Sequence, residues 1–403
     1  MKKWLLHIWM MGVLGMLAAS CSQEDDGLDP VVEKQKVMLR FTIALDEPKS
    51  ASRSWDGYDD EDTGVADKEL GSINENKINN VHALLYDLNG ILIGKLNNAM
   101  PEVVSGSTNQ HVYTVVGSIE VDADKVADLD FKLMVFANCN LPADLSNPSN
   151  LVFTNPNTTN GNGIPMWGIA TYTGVDLSNS LTVDTAYELT NTTSNQDPVY
   201  MLRSMAKIEV SLEAETAKTY SLTGATLNKV MNSGFVMPKL RLPDKTTDLA
   251  ISGLTSTKQL GIDEVFNPIA SDGNNVITTG QETSFTKNEG NDATATADDS
   301  FIIYVPEYEV GSSEAPLISL GLQDSNGNAV YKDATNQTPY SFRHGLYEEG
   351  SFNANADVIR NHWYKYEISI KNGVDLEVLI SIYNWIYTLK EVSTTLNPEG
   401  EGL

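Results

Sequence analysis

The chain has 403 residues, 41% of them hydrophobic, enough apolar material for more than one packed core. It carries 54 acidic against 27 basic residues, a net charge of −27. That field repels nucleic-acid phosphates and anionic lipid headgroups, so neither is expected as a partner.

The chain opens with Lys2 and Lys3, an apolar stretch from Leu5 to Leu17, the small residues Ala18, Ala19 and Ser20, and then Cys21. A positive start, a short apolar centre and small residues before a cut describe a secretory signal, too short for a spanning helix. The cysteine in that place resembles a lipobox, in which the thiol is acylated, as with palmitate, and becomes the new N-terminus. Ala18 stands where leucine or valine is usual. Residues 1–20 are read as a lipoprotein signal peptide and Cys21 as the lipidation site; the competing reading is an ordinary signal with a chance cysteine. Ser22-Gln23-Glu24-Asp25-Asp26 resembles the acidic tag that sends lipoproteins of some Gram-negative bacteria to the outer face of the outer membrane, against the plainer reading of a solvated linker. With Cys21 consumed, Cys139 has no disulfide partner within the chain and, ending the apolar run from Phe131, is read as core.

Next come strands. Val37, Leu39, Phe41, Ile43 and Leu45 alternate with Met38, Arg40, Thr42 and Ala44, a period of two with one apolar face. Val81–Tyr86, the turn Asp87-Leu88-Asn89-Gly90 and Ile91–Leu96 predict a hairpin, because Asn-Gly tolerates the positive φ of tight turns. Leu317–Gln323 with Asp324-Ser325-Asn326-Gly327 and Ala329–Lys332 repeats the device, as does Trp363–Lys371 with Asn372-Gly373 and Leu376–Trp385. Thr154–Gly163 and Ser271–Gly290 are polar and read as loops. Helical periodicity is nearly absent, with one short turn expected at Ala123–Asp128. The fold class is therefore all-β, two tandem Greek-key (transthyretin-like) β-sandwich domains after the signal peptide. The polar run from Glu188 to Pro198 divides an N-terminal domain, 54–190, from a C-terminal domain, 199–403.

Six segments in order resemble the fimbrillin family, the lipoprotein-derived subunits of type V pili. They are Val37–Leu45 followed by Ser52-Arg53-Ser54; Ile78 to Gly90; the Ile164-Pro-Met-Trp-Gly168 turn; Leu202-Arg203 to Ala206-Lys207-Ile208-Glu-Val210; Tyr304-Val-Pro-Glu307; and Arg360-Asn361-His362-Trp-Tyr364 with Ile382-Tyr-Asn-Trp385. Each is weak alone; their shared order carries the likeness over nearly the whole mature chain.

That resemblance implies a structural role in adhesive pili, with assembly by donor-strand exchange, a β-augmentation between subunits. Residues 21–53 would be a propeptide including the first strand, which completes the N-terminal sandwich of the precursor. An arginine-specific protease would cut between Arg53 and Ser54, in a loop from Glu47 to Ser52 that reads as exposed, while Arg40 is protected inside the strand. Loss of Val37, Leu39, Phe41, Ile43 and Leu45 would open a groove for the tail 386–403 of the next subunit, with Tyr387, Leu389, Val392 and Leu396 as its apolar elements. Val392 breaks the parity of Tyr387 and Leu389, which suggests a bulge or a two-segment donor. Asp184-Thr185-Ala186 resembles an O-glycosylation sequon, with Thr185 as acceptor. The implied partners are neighbouring pilus subunits, lipoprotein export machinery, the protease and a surface receptor of unknown identity. The precursor would be a surface-exposed outer-membrane lipoprotein, and the mature form part of extracellular fimbriae.

No G-x-S-x-G, H-E-x-x-H, P-loop or G-x-G-x-x-G motif occurs, and no cofactor or metal is expected; the chain is read as a non-enzyme. The acidic run Asp56–Asp62 lacks EF-hand spacing. His362 reads as a strand-opening histidine bonded to a loop, and Lys207 as the solvent-facing member of its strand. Two alternatives remain: a non-polymerising surface lipoprotein binding glycan through loop aromatics such as Trp55, Trp167 and Tyr172, or the anchor or tip subunit of the same pilus.

Overall fold

The computed structural model describes residues 33–45, 73–104, 112–141, 144–154, 163–189, 198–228, 230–231, 233–238, 250–257, 283–287, 300–307, 316–344, 346–348, 351–353, 358–371, 375–384, 388–390 and 395–396. Cys21, Arg53, Ser54, Trp55, Trp385, Tyr387 and Val392 lie outside the described residues.

Alternation decides the first strand. In β1 (Lys34–Ala44) the odd-numbered side chains from Val37 to Ile43 turn inward and are fully buried, while Met38, Arg40 and Thr42 are only half-buried. One helical turn, α1 (Ile73–Asn76), precedes β2 (Val81–Tyr86), β3 (Leu92–Lys95), β4 (Asn97–Val103), β5 (Val112–Asp122) and β6 (Leu129–Ala137). Then follow β7 (Val152–Thr154), β8 (Met166–Val175), β9 (Tyr187–Glu188), β10 (Val199–Tyr200) and β11 (Leu202–Arg203). They make two sheets, one in the order β10-β1-β5-β4 with β9 also on β1, the other β11-β8-β6-β2-β3. A single apolar core containing residues of both sheets packs between them, which makes the unit a sandwich.

The chain continues with β12 (Met205–Leu212), β13 (Tyr220–Leu227), β14 (Ser233–Phe235), β15 (Thr283–Ser284), β16 (Thr286–Lys287), β17 (Phe301–Pro306) and β18 (Leu317–Asp324). Then come β19 (Ala329–Val330), β20 (Tyr340–Arg343), β21 (Leu346–Glu348), β22 (Ser351–Asn353), β23 (His362–Lys371), β24 (Asp375–Asn384), β25 (Thr388–Lys390) and β26 (Thr395–Leu396); β21 and β22 pair with each other, and two larger sheets form the second sandwich. One sheet runs β16-β17-β12-β23-β24-β25 with β26 also on β24; the other runs β15-β13-β18-β19 with β20 on β18. A second core, containing Ile208, Ile318, Phe342, Tyr366 and Val378, lies between them.

Turn chemistry explains the hairpins. Asp87 Oδ1 accepts hydrogen bonds from the amides of Asn89 and Ile91, and Gly90 takes φ +87°. Asp324 Oδ1 does the same for Asn326 and Asn328, on either side of Gly327 at φ +81°. The segment 123–128 is hydrogen-bonded turn, as expected. Within 271–290, the described residues include the two short strands β15 and β16.

Two segments cross the division drawn from sequence. Residues 199–203 pair with β1 and β8, so the N-terminal sandwich extends to Arg203 and the handover falls at Ser204. Farther on, residues 233–238 and 250–257 leave the second sandwich and wrap the first as a strap. β14 pairs with β7, Ser256 bridges Ala170, and Val236, Met237 and Leu254 enter the N-terminal core. The Lys132 ammonium, buried on β6, donates to the carbonyls of Ile251 (2.9 Å) and Ser252 (2.7 Å). The strap also accounts for the burial of β6 on both faces: every residue along it except Asp130 is buried, Lys132 included, so alternation is lost.

Candidate assembly site and the junction between the sandwiches

The first strand sits as an insert rather than an edge. It lies antiparallel to β5 along its whole length, from Lys34 opposite Asp122 to Ala44 opposite Val112. On its other side it meets two short parallel partners, Leu39 opposite Tyr187 in β9 and Ile43 opposite Val199 in β10. Further main-chain bonds run from the amides of Met38 to Ser180, of Leu189 to Arg40 and of Met201 to Ala44, at 2.6–2.8 Å. Leu45, just past the strand end, is buried with Val37, Leu39, Phe41 and Ile43. Five such side chains contribute about 8–15 kcal/mol of gross burial, an upper bound because the unfolded chain already hides some of this surface. Arg40 reaches the Val183 carbonyl (3.3 Å) and Glu188 (3.6 Å) from within the paired strand.

The opposite edge of this sheet, β4, is built against pairing with another chain. It carries Pro101 and a register irregularity between Asn97 and Met100, with Asn98 at φ +55°. Thr185 lies in an exposed turn beside β1, its amide and hydroxyl bonded to Thr182.

Two described segments of the tail pair with its own domain. β25 pairs antiparallel with β24, Leu389 opposite Tyr383, and β26 pairs with the same strand farther back, Leu396 opposite Val378. Both segments lie against β24, at one edge of the larger sheet of that domain.

The motif residues gather elsewhere, at the junction between the sandwiches. Arg203 Nη2 donates to Asn76 Oδ1 at 2.6 Å, and Asn361 Oδ1 accepts the Arg203 amide at 3.2 Å. Asn361, at φ +58°, also donates its amide to the Met205 carbonyl. Arg360 is buried and holds the carbonyls of Val236 (2.6 Å) and Phe235 (2.9 Å) on the strap, as well as the Glu307 carboxylate. Burial is the dominant effect on Glu307 and raises its pKa, against the pull of Arg360. His362 bonds through Nδ1 to the Arg360 carbonyl at 2.8 Å, a loop contact as expected.

The structure departs from the sequence expectations at three places. Lys207 is not solvent-facing: it is 5% exposed, its ammonium 2.9 Å from Glu75 and 4.1 Å from the centroid of Trp363. The physical reason is the second domain's docking, which covers the outward face of β12 with α1. Trp167 and Tyr172 are not loop aromatics available to a glycan; both lie in β8 and are buried, Tyr172 against Phe131. The Ile164–Gly168 segment is not a turn throughout, because β8 already begins at Met166. Gly168 is required there since a Cβ would collide with the Tyr200 carbonyl oxygen as 199–201 crosses it. Cys139 is buried in the core, and burial pushes its thiol pKa up to about 12.

The fold so described defines a two-sandwich, all-β protein. No protein-family model and no curated protein sequence matches the chain. Among solved structures it is similar to a fimbrial assembly protein from Parabacteroides distasonis, at 12% identity and a TM-score of 0.40, covering 86% of this chain and 96% of that one. It is also similar to a candidate adhesin from Bacteroides ovatus, at 8% identity and a TM-score of 0.24, covering 75% of this chain and 82% of that one.

Proposed function

We propose that this chain is a structural subunit of an adhesive pilus, exported as a lipoprotein acylated at Cys21 and matured by cleavage between Arg53 and Ser54. Cleavage frees β1, and the tail of a neighbouring subunit takes its place. The observation that carries this reading is the position of β1: a strand buried by every inward side chain, paired on both sides, and followed by residues 46–72 before the next element of its sandwich. A strand in the middle of a sheet is ordinarily tied in by short turns on both sides; this one is a removable insert.

Energetics favour the exchange. Among the described residues the tail pairs with its own sheet at 388–390 and 395–396, whereas the β1 site offers continuous pairing along β5. At about 1 kcal/mol per ladder hydrogen bond, the longer site wins once it is empty. An empty site also leaves β5 with an unpaired edge, so cleavage before arrival at the surface would invite aggregation. Thr185 is proposed as a glycan acceptor beside that site.

The reading is tested by treating the purified precursor with an arginine-specific protease and following assembly on denaturing gels without heating. A ladder of multimers that fails to form from an Arg53→Ala chain is expected. A cut chain that loses β1 and stays monomeric at high concentration would contradict polymerisation.

A further inference from the structure

We infer that the buried charged cluster at the junction, Glu75, Lys207, Tyr304 and Glu209, sets the angle between the two sandwiches. Glu75 belongs to α1 of the N-terminal sandwich; the other three belong to β12 and β17 of the C-terminal one. Glu75 Oε1 receives both the Lys207 ammonium, at 2.9 Å, and the Tyr304 hydroxyl, at 2.5 Å. The Lys207 and Glu75 side chains are 6% and 2% exposed. The ammonium also lies 4.1 Å from the centroid of the Trp363 ring, and Arg203 fixes the next residue of α1 through Asn76. Glu209 is buried on the same strand as Lys207 and acts electrostatically on Tyr304.

Apolar contact is non-directional and tolerates sliding of one surface over another. A buried ion pair is the reverse: replaced by apolar groups of equal size it costs little stability, but pulled apart it strands a desolvated charge. Its effect is therefore on geometry. Sliding the domains by an ångström or two separates Lys207 from Glu75 and strips Tyr304 of its acceptor, so one orientation is selected. Because α1 follows residues 46–72 directly, a chain beginning at Ser54 keeps this tie; that corollary rests on the processing reading above.

The test places spin labels at Glu120→Cys and Lys218→Cys, exposed positions on the two sandwiches, in a Cys21→Ser, Cys139→Ala background, and measures the distance distribution in the full chain. One narrow distance is expected for this reference. Glu75→Leu with Lys207→Met should melt within about 5 °C of it yet show a distribution at least twice as wide. Tyr304→Phe, which removes one donor and leaves the ion pair, should widen it less and serves if the double variant does not fold. A distribution unchanged in the folded double variant, or in Tyr304→Phe when that alone folds, overturns the inference. After cutting at Arg53 the narrow distance should persist; a widening there assigns the angle to β1 and overturns the inference too. A chain that resists cutting counts against the processing reading alone and leaves the uncut results standing.

Discussion

The Tyr366 hydroxyl and His344 Nδ1 share a hydrogen bond of 2.6 Å inside the C-terminal sandwich, with the imidazole also edge-on to the Tyr364 ring at 4.8 Å. His344 is wholly buried, its Nε2 has no hydrogen-bond partner among the described residues, and burial holds its pKa down to about 4. The folded pKa lies below the unfolded value of 6.5, so the neutral ring costs nothing above pH 6.5. Stability is lost as pH falls from there toward 4, by about 3 kcal/mol in all. Denaturant unfolding at pH 7, 5.5 and 4.5 should show this loss in the wild type. A His344→Phe variant should lose less over the same range, and equal losses would remove His344 as the cause.

Arg360 joins β23 to the strap. Arg360→Met leaves Glu307 buried without its cation and two strap carbonyls without a donor, so it should cost about 3–5 kcal/mol. Glu307→Gln keeps an acceptor for Arg360 and should cost less. Urea unfolding at neutral pH checks the order of the two variants.

Gly168→Ala should destabilise by about 1–3 kcal/mol, since the added methyl meets backbone rather than a side chain that could turn away. Gly327→Ala is the control: open space surrounds it, and only its φ of +81° opposes the change. Thermal unfolding of the two variants separates collision from backbone strain.

Phe41→Ala should lower precursor stability by about 3–5 kcal/mol. The same substitution should have no effect on the protein recovered after cleavage, because the strand bearing it has gone. Equal destabilisation of both forms would mean that β1 stays in place.

Period-two patterning and Asx-Gly turns made β1 and the hairpins at 87–90 and 324–327 readable in advance, because each is a local signal over a few residues. The junction was not readable. Lys207 alternates with Ala206 and Ile208 just as a solvent-facing lysine would, and its partner sits on a four-residue helical turn with no periodicity to betray it. Trp167 and Tyr172 misled for a similar reason: a Pro and Gly nearby signal a turn, while the strap that buries this sheet's outer face comes from residues far along the chain. The family-like motifs marked residues that hold the two sandwiches together, whereas the β1 site is built from ordinary apolar alternation.

Removal of β1 on the way to the cell surface is decided by the intact mass of the protein recovered there. A chain beginning at Ser54 is the predicted result. A chain beginning at acylated Cys21, with Val37 to Leu45 still attached, would contradict strand exchange and leave a lipoprotein that keeps its own first strand.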